Sequence, residues 1–379
     1  MIAIKKSLNV TDKLSILTRD SGYDLACACA RAKDEHRSRS KDDKWVYPAT
    51  LPQGGTTYLF KTLLSNECVN DCKYCPLRSN LDPERCRISP DELVKVFMDY
   101  YRKRRVEGLF LSSGVIGTAD NTMGYINRVG EMLRKNNNFR GYIHLKIIPG
   151  ASENAIRETL SLANAVSLNI ETAGGDHFNN LSKRKDYIKD IIEPIRLISR
   201  LRESNSKYAH VKQTTQFVVG ATDETDKNIV DYSWGLYKRL HLNRVYFSAY
   251  QRGLGESTLI GENSTHSNSD ILMREHRLYQ TDWLIRKYNF QLNEIPFDKN
   301  GNLSLSEDPK EAWAKRHPEY FPVNINRADR YKLMRIPGLG EVTVRRILNI
   351  RKSGGRVKKL EDLGNIGKRL KKVSGYISF

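Results

Sequence analysis

Three cysteines follow an early apolar stretch of the chain at short, unequal spacings. They stand in the run Cys68-Val-Asn-Asp-Cys72-Lys-Tyr-Cys75. Thiolates spaced in this way on one loop can converge on a single metal centre, and four are the usual complement of a cubane iron–sulfur cluster. With three, one iron keeps an open position for a substrate or cofactor. The alternative is a closed zinc site with Cys86 as fourth ligand, although zinc sites usually bring two short cysteine pairs and here only Cys72 and Cys75 form one.

The segments around this loop alternate between strand and helix patterns. Strands are predicted at 57–64, 108–112, 142–148, 165–170, 211–220 and 244–250, and helices at 90–104, 122–136, 153–163, 189–202, 226–240 and 269–288. Strands and helices in strict alternation predict an α/β fold with a parallel sheet and right-handed crossovers. Either a partial (β/α) barrel or a doubly wound sheet would satisfy this order.

A polar face on successive strands favours the barrel. Apolar and polar residues alternate along four of the strands, and the polar side includes His144, Lys146, Asn169, Glu171, Gln216 and Tyr250. Such a face is costly to bury unless it lines a solvated or ligand-filled lumen. We therefore expect a partial (β/α)6 TIM-like barrel with its active site at the carboxyl ends of the strands. For any single one of these residues, the alternative to a role at the active site is an ordinary buried polar side chain whose hydrogen bonds are made within the fold.

The positive charge is concentrated at the end of the chain. The formal net charge is +19, and residues 323–379 hold 15 Lys and Arg against 4 Asp and Glu, a net of +11. A localised basic module predicts a polyanionic partner. The expected organisation is an N-terminal extension (1–55) with a charged loop at 31–44, the barrel (56–298), an irregular linker (299–322) and the basic module (323–379).

Two glycine turns stand inside this module. Pro337-Gly338-Leu339-Gly340 separates two predicted helices, and a second turn spans 363–367. Glycines permit tight turns and close approach of the backbone, and the N–H groups that begin the following helix form an anion site. The alternative is a small helical packing domain whose glycines are ordinary caps. The charge favours nucleic acid, with contacts predicted from Gly338, Gly340, Arg345, Arg346, Gly364, Gly367, Lys368 and Arg369.

Composition also bears on the compartment. No apolar stretch approaches the roughly 18 residues that a membrane helix needs, and the first residues lack the apolar run of a signal peptide. A cytoplasmic protein without membrane contact is expected. Thiols stay reduced there, so the six cysteines are expected as ligands or catalytic groups and not as disulfides.

The cysteine motif, with Tyr74 before its last cysteine, is similar to that of the radical S-adenosylmethionine (SAM) superfamily, over roughly residues 55–298. The resemblance implies a [4Fe-4S] cluster on Cys68, Cys72 and Cys75 whose open iron binds SAM. One electron then cleaves SAM to a 5′-deoxyadenosyl radical that abstracts a substrate hydrogen. It also implies a set of cofactor contacts, in which two serines replace the common Gly-Gly-Glu: Tyr74, Ser112, Ser113, Gly114, Asn169 and Glu171, with Gln216 and Tyr250 as further candidates.

The basic module resembles a tandem helix–hairpin–helix unit that binds DNA without sequence preference. The whole chain resembles a family of radical SAM proteins connected with DNA modification or repair and with uracil-DNA glycosylase-like partners. This implies a nucleic-acid substrate, DNA in preference to RNA, and a flavodoxin- or ferredoxin-like electron donor. A target inside a duplex would have to be flipped out. An RNA-modifying enzyme and a non-catalytic nucleic-acid-binding protein with a structural cluster remain as alternatives.

Three residues are candidates for the chemistry on the substrate. Cys27 could return a hydrogen atom to a product radical, although a small semi-buried helix cysteine is the plainer interpretation. His144 and Lys146 could contact the substrate from the barrel interior. Cys86 is expected to be structural or incidental.

Overall fold

The computed structural model describes residues 8–24, 45–50, 55–203, 205–364 and 372–379. Cys27, Gly367, Lys368, Arg369 and the predicted loop 31–44 lie outside the described residues. The chain divides into two compact units, one formed by 1–224 with 235–275 and the other by 225–234 with 276–379. Each is described by itself below.

The first unit is built on one seven-stranded sheet. The strands follow chain order across it: β1 (Val46–Thr50), β2 (Thr56–Leu63), β3 (Gly108–Ser112), β4 (Tyr142–Lys146), β5 (Ala165–Ser167), β6 (Lys212–Val219) and β7 (Arg244–Ala249). β1 pairs antiparallel with β2, and every later pair is parallel. The sheet curls into a half-barrel, so the predicted α/β partial barrel is confirmed.

Helices connect the parallel strands. The described chain contains α1 (Val10–Asp20), α2 (Pro90–Arg102), α3 (Ala119–Glu131), α4 (Glu153–Leu162), α5 (Gly175–Asn179), α6 (Glu193–Leu201), α7 (Asp226–Lys238), α8 (Asn268–Tyr288), α9 (Pro309–Arg316), α10 (Arg330–Arg335) and α11 (Glu341–Lys352). A π-helical turn, Met132–Asn136, prolongs α3, and another, Tyr187–Ile192, precedes α6. All six predicted barrel helices are present within a few residues of their predicted bounds.

The packing of α2 illustrates how local sequence and core agree. Ser89 caps the helix, because its Oγ accepts the Glu92 N–H at 3.2 Å while the Glu92 carboxylate accepts the Ser89 N–H at 2.8 Å. On the apolar side of the helix, the fully buried Phe97 meets Phe60 of β2 and Phe139 edge-on, with ring centroids 6.0 and 5.1 Å apart. Burying one such ring stabilises the fold by roughly 2 to 3 kcal/mol.

Two expectations about the sheet were wrong. β1 was missed, because Pro48 lies inside it and proline weakens a strand pattern; an edge strand tolerates this residue, since the missing N–H faces away from the ladder. β4 and β5 end earlier than predicted, at Lys146 and Ser167. Residues beyond both strands line the cavity described below, and the chain after β5 pairs with β6 again at Glu171, whose N–H donates to the Gln216 carbonyl at 3.0 Å.

The second unit is mostly helical. The segment 299–322, predicted to be an irregular linker, contains α9, which Asp308 caps by accepting the Lys310 N–H at 2.9 Å. Two short parallel strands, β8 (Val323–Asn324) and β9 (Ile377–Ser378), bring the two ends of the basic module together. Among the residues that the structure describes, no helix is long and apolar enough to cross a membrane.

Candidate cofactor site and nucleic-acid interface

A cavity opens at the carboxyl ends of the parallel strands in the first unit. Cys68, Cys72 and Cys75 line it, together with residues that the sequence predicted as SAM contacts and one predicted catalytic residue: Tyr74, Ser112, Ser113, Gly114, Lys146, Asn169, Glu171, Gln216 and Tyr250. Asp20 and Tyr23, close to the end of α1, also line it. From the N-terminal segment, sequence reasoning had connected only Cys27 with the site and had indicated neither of these residues.

The position of the cysteine loop is fixed by Asp71, which precedes Cys72. Its carboxylate accepts hydrogen bonds from the Ser182 hydroxyl and from the N–H groups of Lys183 and Arg184, at 2.9 and 3.4 Å for the two N–H groups. Burial alone would raise the pKa of Asp71, but these hydrogen bonds outweigh it and lower the pKa. The turn that follows α5 therefore anchors the loop through an ionised carboxylate.

Two of the three half-buried thiols lie in surroundings that disfavour the thiolate form. Burial raises the pKa of both Cys72 and Cys75, and charge repulsion between neighbouring thiolates adds to the effect. The Cys75 Sγ accepts the Leu77 N–H at 3.4 Å, and the Cys75 N–H donates to the Cys72 carbonyl at 2.9 Å. A metal centre would supply the positive charge that buried thiolates need, since ligand thiols bind metals in their deprotonated form.

The zinc alternative finds no support in the described residues. Cys86 is buried outside the cavity, with its Sγ 3.8 Å from the Lys13 carbonyl oxygen. No group of three or more His, Cys, Asp or Glu side chains is arranged to hold a single metal ion anywhere in the described parts of the chain. A cluster needs wider spacing than one ion because the thiolates bind different irons, so the three-cysteine loop remains compatible with it.

Lys185 brings a positive charge to the thiols, and sequence reasoning missed it. It is 8% exposed and lines the cavity together with Cys72. Burial would lower the pKa of Lys185, but the charges of Cys72 and Glu171 outweigh it and raise the pKa. The turn anchored on Asp71 places this lysine, and nothing in the run Ser182-Lys-Arg-Lys185 distinguishes it in sequence from its exposed neighbours.

Glu171 occupies a strained position just past β5. Its φ is 67°, a left-handed conformation that a non-glycine residue adopts at a cost of roughly 1 to 3 kcal/mol. The Tyr74 hydroxyl donates to its Oε1 at 2.7 Å, and the Asn169 amide lies 3.5 Å from its Oε2. The cysteine loop is thus connected to the end of β5 by one carboxylate, which faces the cavity and can accept further hydroxyl groups.

The end of β3 fits a bound polar group. The Ser113 Oγ is buried and has no hydrogen-bond partner among the described residues. Gly114 donates its N–H to the Ser65 carbonyl at 2.7 Å, and a Cβ at this position would lie 2.2 Å from the Glu67 carbonyl oxygen. The backbone therefore packs directly against the start of the cysteine loop, leaving a serine hydroxyl available to a ligand. This donor set suits the amino acid part of SAM.

Two predicted contacts have other partners. The Tyr250 hydroxyl donates to the carboxylate of Glu262, which also accepts the N–H groups of Gly253 and Gly255 at 2.8 and 2.9 Å. Tyr250 therefore secures the loop after β7 over the cavity. His144 does not line the cavity: it lies buried one layer deeper, where its Nε2 is 2.9 Å from the Ser167 Oγ.

In the second unit the first predicted hairpin is present. α10 and α11 flank the turn, Gly338 has a φ of 84°, and Gly340 is the N-cap of α11. The anion site at the start of α11 already has a carboxylate beside it. Glu341 lies 3.2 Å from the Arg330 guanidinium and 3.6 Å from that of Arg345.

A buried lysine of α9, Lys310, binds a backbone carbonyl of this turn. The Lys310 ammonium donates to the Leu339 carbonyl at 2.7 Å and lies 4.7 Å from the centre of the Tyr288 ring. Burial lowers the pKa of Lys310 to about 7, and the charge of Arg335 contributes in the same direction. With the Leu339 carbonyl turned inward, the hairpin backbone is fixed by α9, a contact that no sequence pattern had indicated.

The second predicted turn is described only at its start. Gly364 has a φ of 82°, and Arg346 donates to the carbonyl of Leu363 immediately before it. A Cβ on Gly364 would overlap the Arg346 guanidinium. Arg346 thus connects α11 to the second turn, whereas the side chain of Arg345 is largely exposed.

Comparison with known proteins agrees with this geometry. Residues 62–232 match the radical SAM superfamily, and residues 320–373 match the helix-hairpin-helix motif. The chain therefore contains a radical SAM domain, the class that uses a [4Fe-4S] cluster and SAM. A C-terminal helix–hairpin–helix motif follows it. No curated protein matches the chain.

Solved structures resemble the chain at low identity. The FeFe-hydrogenase maturase HydG from Carboxydothermus hydrogenoformans is 17% identical with a TM-score of 0.47, over 60% of this chain and 51% of that one. Methylornithine synthase (PylB) is 11% identical at 0.45, over 59% and 63%. Streptococcus suis SuiB is 11% identical at 0.44, over 61% and 48%. The chain spans about half of HydG and SuiB and rather more of methylornithine synthase.

Proposed function

We propose that this chain is a radical SAM enzyme that acts on nucleic acid, with DNA favoured over RNA. The observation that carries the proposal is the presence, in one chain, of a radical SAM domain and a strongly basic helix–hairpin–helix motif. The first supplies a radical and the second a means of holding a polyanion. Neither feature alone would distinguish a nucleic-acid enzyme from a maturase or from a binding protein.

In this proposal Cys68, Cys72 and Cys75 hold the cluster. When bound, the cluster and SAM supply a 5′-deoxyadenosyl radical after the transfer of one electron. The chain's own residues bind and orient the cofactor: the free Ser113 hydroxyl and the Glu171 carboxylate face the same cavity as the cysteines. The hydrogen bond from the Tyr74 hydroxyl fixes the orientation of the Glu171 carboxylate. The loop that Glu262 secures after β7 limits the access of water to the cavity.

Nucleic acid would be held through its phosphates. The N–H groups that begin α11, the exposed Arg345 and the basic residues around the second turn are suited to phosphate oxygens, and contacts to phosphate carry no sequence information. Binding should therefore depend steeply on salt and little on sequence. Family resemblance adds three further parts to the proposal. The reaction would take place on a base or sugar of DNA, in repair or modification. A uracil-DNA glycosylase-like protein would be a partner, and a flavodoxin- or ferredoxin-like protein would supply the electron.

The decisive experiment is reductive SAM cleavage. The protein would be purified anaerobically, reconstituted with iron and sulfide, and supplied with SAM and dithionite, with and without DNA. We expect 5′-deoxyadenosine from the wild type, stimulation by DNA, and none from Cys72→Ala. Cys86→Ala is the matched control, since this buried thiol lies outside the cavity and should leave both iron content and product unchanged.

The alternatives give different results. Stimulation by structured RNA and not by DNA would indicate an RNA-modifying enzyme. Nucleic-acid binding without any 5′-deoxyadenosine would indicate a binding protein whose cluster is structural. A protein that carries one zinc per chain and produces no 5′-deoxyadenosine would overturn the enzymatic proposal.

A further inference from the structure

A second basic surface lies in the first unit, at the edge of the sheet opposite the cavity. Because β3 to β7 are parallel, the loops that lead into them meet at one edge. We call this surface the basal face and define it by residues 102–107, 134–141, 202–203, 205–212 and 238–244. These residues contain thirteen Lys and Arg against two Glu, a net of +11. The basal face therefore carries as much net charge as the C-terminal module, and the rest of the chain is slightly acidic.

Helix termini explain only part of this charge. Cations are favoured in the last turn of a helix by its dipole, which accounts for Arg102, Lys135 and Lys238. Four further cations stand in the loops or at the first position of a strand: Arg104, Arg140, Lys207 and Lys212. All four are exposed and none forms an ion pair within the described residues.

Beneath these cations lie two arginines bound to neutral acceptors. Arg134 donates to the carbonyls of Leu162, Phe139 and Gly141 and to the Asn164 side chain, at 2.7 to 2.9 Å. Arg202 donates to the side chains of Gln213 and Asn243 at 3.0 and 2.7 Å. Burial lowers the pKa of both, and Arg140 adds to the effect on Arg134. Their positive charge is not compensated by a carboxylate in the part of the chain that the structure describes.

A small open cavity on the basal face shows the same chemistry. Arg134, Arg140 and His210 line it together with Ser161 and Asn164, and no carboxylate is among the lining residues. Guanidinium and imidazole groups around one space are suited to an oxyanion such as a phosphate group. The cavity thus offers a position where one phosphate of a larger ligand can be held.

The shape and composition of the basal face favour nucleic acid over an acidic protein. Protein interfaces are centred on buried aromatic and aliphatic anchors. The described residues of these four loops expose no large apolar side chain. Five neighbouring strands about 4.8 Å apart give the face a width of about 19 Å. Successive phosphates of one nucleic-acid strand are about 3.4 Å apart along the helix axis, so several can be contacted at once.

We propose that the basal face is a second nucleic-acid-binding surface, which contacts the phosphate backbone independently of the C-terminal module. The proposal rests on the proposed function only in taking nucleic acid as the partner. Two separate basic surfaces on one chain would increase the number of phosphates held and hence the salt dependence of binding. They would also leave the cavity at the opposite edge of the sheet free for the reaction.

Charge removal on the basal face tests the proposal. The basal variant is the whole chain with four substitutions: Arg104→Asn, Arg140→Gln, Lys207→Gln and Lys212→Gln. The control variant instead removes four exposed cations of the flanking helices: Lys95→Gln, Lys189→Gln, Arg196→Gln and Arg200→Gln. Asn is used at position 104 because its φ is 56°. Fluorescence anisotropy with a labelled duplex DNA of random sequence would be measured over a salt series, after circular dichroism shows that each variant is folded.

We expect the basal variant to bind at least tenfold more weakly than the wild type at about 0.1 M salt, with a salt slope shallower by about 2 to 4. The control should stay within about twofold of the wild type at this ionic strength. Equal affinity and slope of basal variant and wild type would overturn this inference and leave the proposed function standing. A wild type that binds no nucleic acid would overturn both. If polyglutamate displaced the labelled DNA and unlabelled duplex DNA did not, the partner of the basal face would be an acidic protein, and this result would also overturn the inference.

Discussion

The cavity and the hairpin both bring opposite charges near one another, and the two regions differ in burial. In the cavity, the Lys185 ammonium is enclosed with Cys72 and Glu171. At the hairpin, Glu341 lies between Arg330 and Arg345, whose side chains are 50% and 69% exposed. A buried charge that loses its partner is strongly destabilising, whereas an exposed pair contributes little. The cavity charges should therefore determine structure and cofactor binding, and the hairpin charges should only adjust affinity.

The largest effect is expected at Lys185. Lys185→Met would remove the buried ammonium whose charge acts on Cys72 and Glu171, and we expect a loss of roughly 3 to 5 kcal/mol of stability, together with poor retention of iron. Thermal unfolding of the apoprotein and iron content after anaerobic reconstitution measure the two effects. Lys183→Met, an exposed neighbour in the same turn, should change neither. If the Lys185 and Lys183 variants behaved alike, the buried charge would not be important to the site.

The second unit also contains a buried charge, that of Lys310, which should make the stability of the protein depend on pH. In the folded protein Lys310 loses its proton near pH 7, whereas in the unfolded chain it keeps it to about pH 10. Between these values the unfolded state binds one more proton, so stability rises with pH. The limit is about 1.4 kcal/mol per pH unit.

The free energy of urea unfolding between pH 7 and 9 measures this slope. Lys310→Met should remove the contribution of this group, and the exposed Lys332→Met should keep it. Identical pH dependence of the wild type and Lys310→Met would mean that the ammonium is not desolvated in the folded protein. Parallel loss in both variants would show that the effect is general and not specific to the buried lysine.

An intermediate effect is expected from a single hydrogen bond in the cavity. Tyr74→Phe removes the hydroxyl that donates to Glu171 at 2.7 Å. A buried carboxylate that loses a donor costs roughly 1 to 3 kcal/mol, and we expect weaker SAM binding, measured by calorimetry with the reconstituted protein. Tyr58→Phe, at an exposed position on β2, is the control. If Tyr74→Phe bound SAM as tightly as the wild type, the hydrogen bond from Tyr74 to Glu171 would not contribute to cofactor binding.

Sequence reasoning found the parts of both regions that depend on local pattern. Cys68, Cys72 and Cys75 share one loop that lines the cavity, and Gly338 and Gly340 share the turn of the hairpin, so spacing alone predicted that each group lies together. The strand and helix order of the barrel followed from periodicity for the same reason. Lys185, Asp71 and Lys310 were missed, because each acts through a contact across a long separation in sequence that only the folded chain brings together. The contact of Arg346, a predicted nucleic-acid residue, with the Leu363 carbonyl was missed as well.

The smallest effect is expected at Glu341, where removal of a charge should improve function. The carboxylate partly neutralises Arg330 and Arg345 and lies at the start of α11, where a phosphate would bind. Exposed pairs of this kind are worth about 0.2 to 1 kcal/mol, so Glu341→Gln should tighten DNA binding by roughly two- to fivefold and steepen its salt dependence. Glu361→Gln, another carboxylate of the same module, should have less effect. Weaker binding by Glu341→Gln would mean that the carboxylate orders the hairpin instead of competing with phosphate.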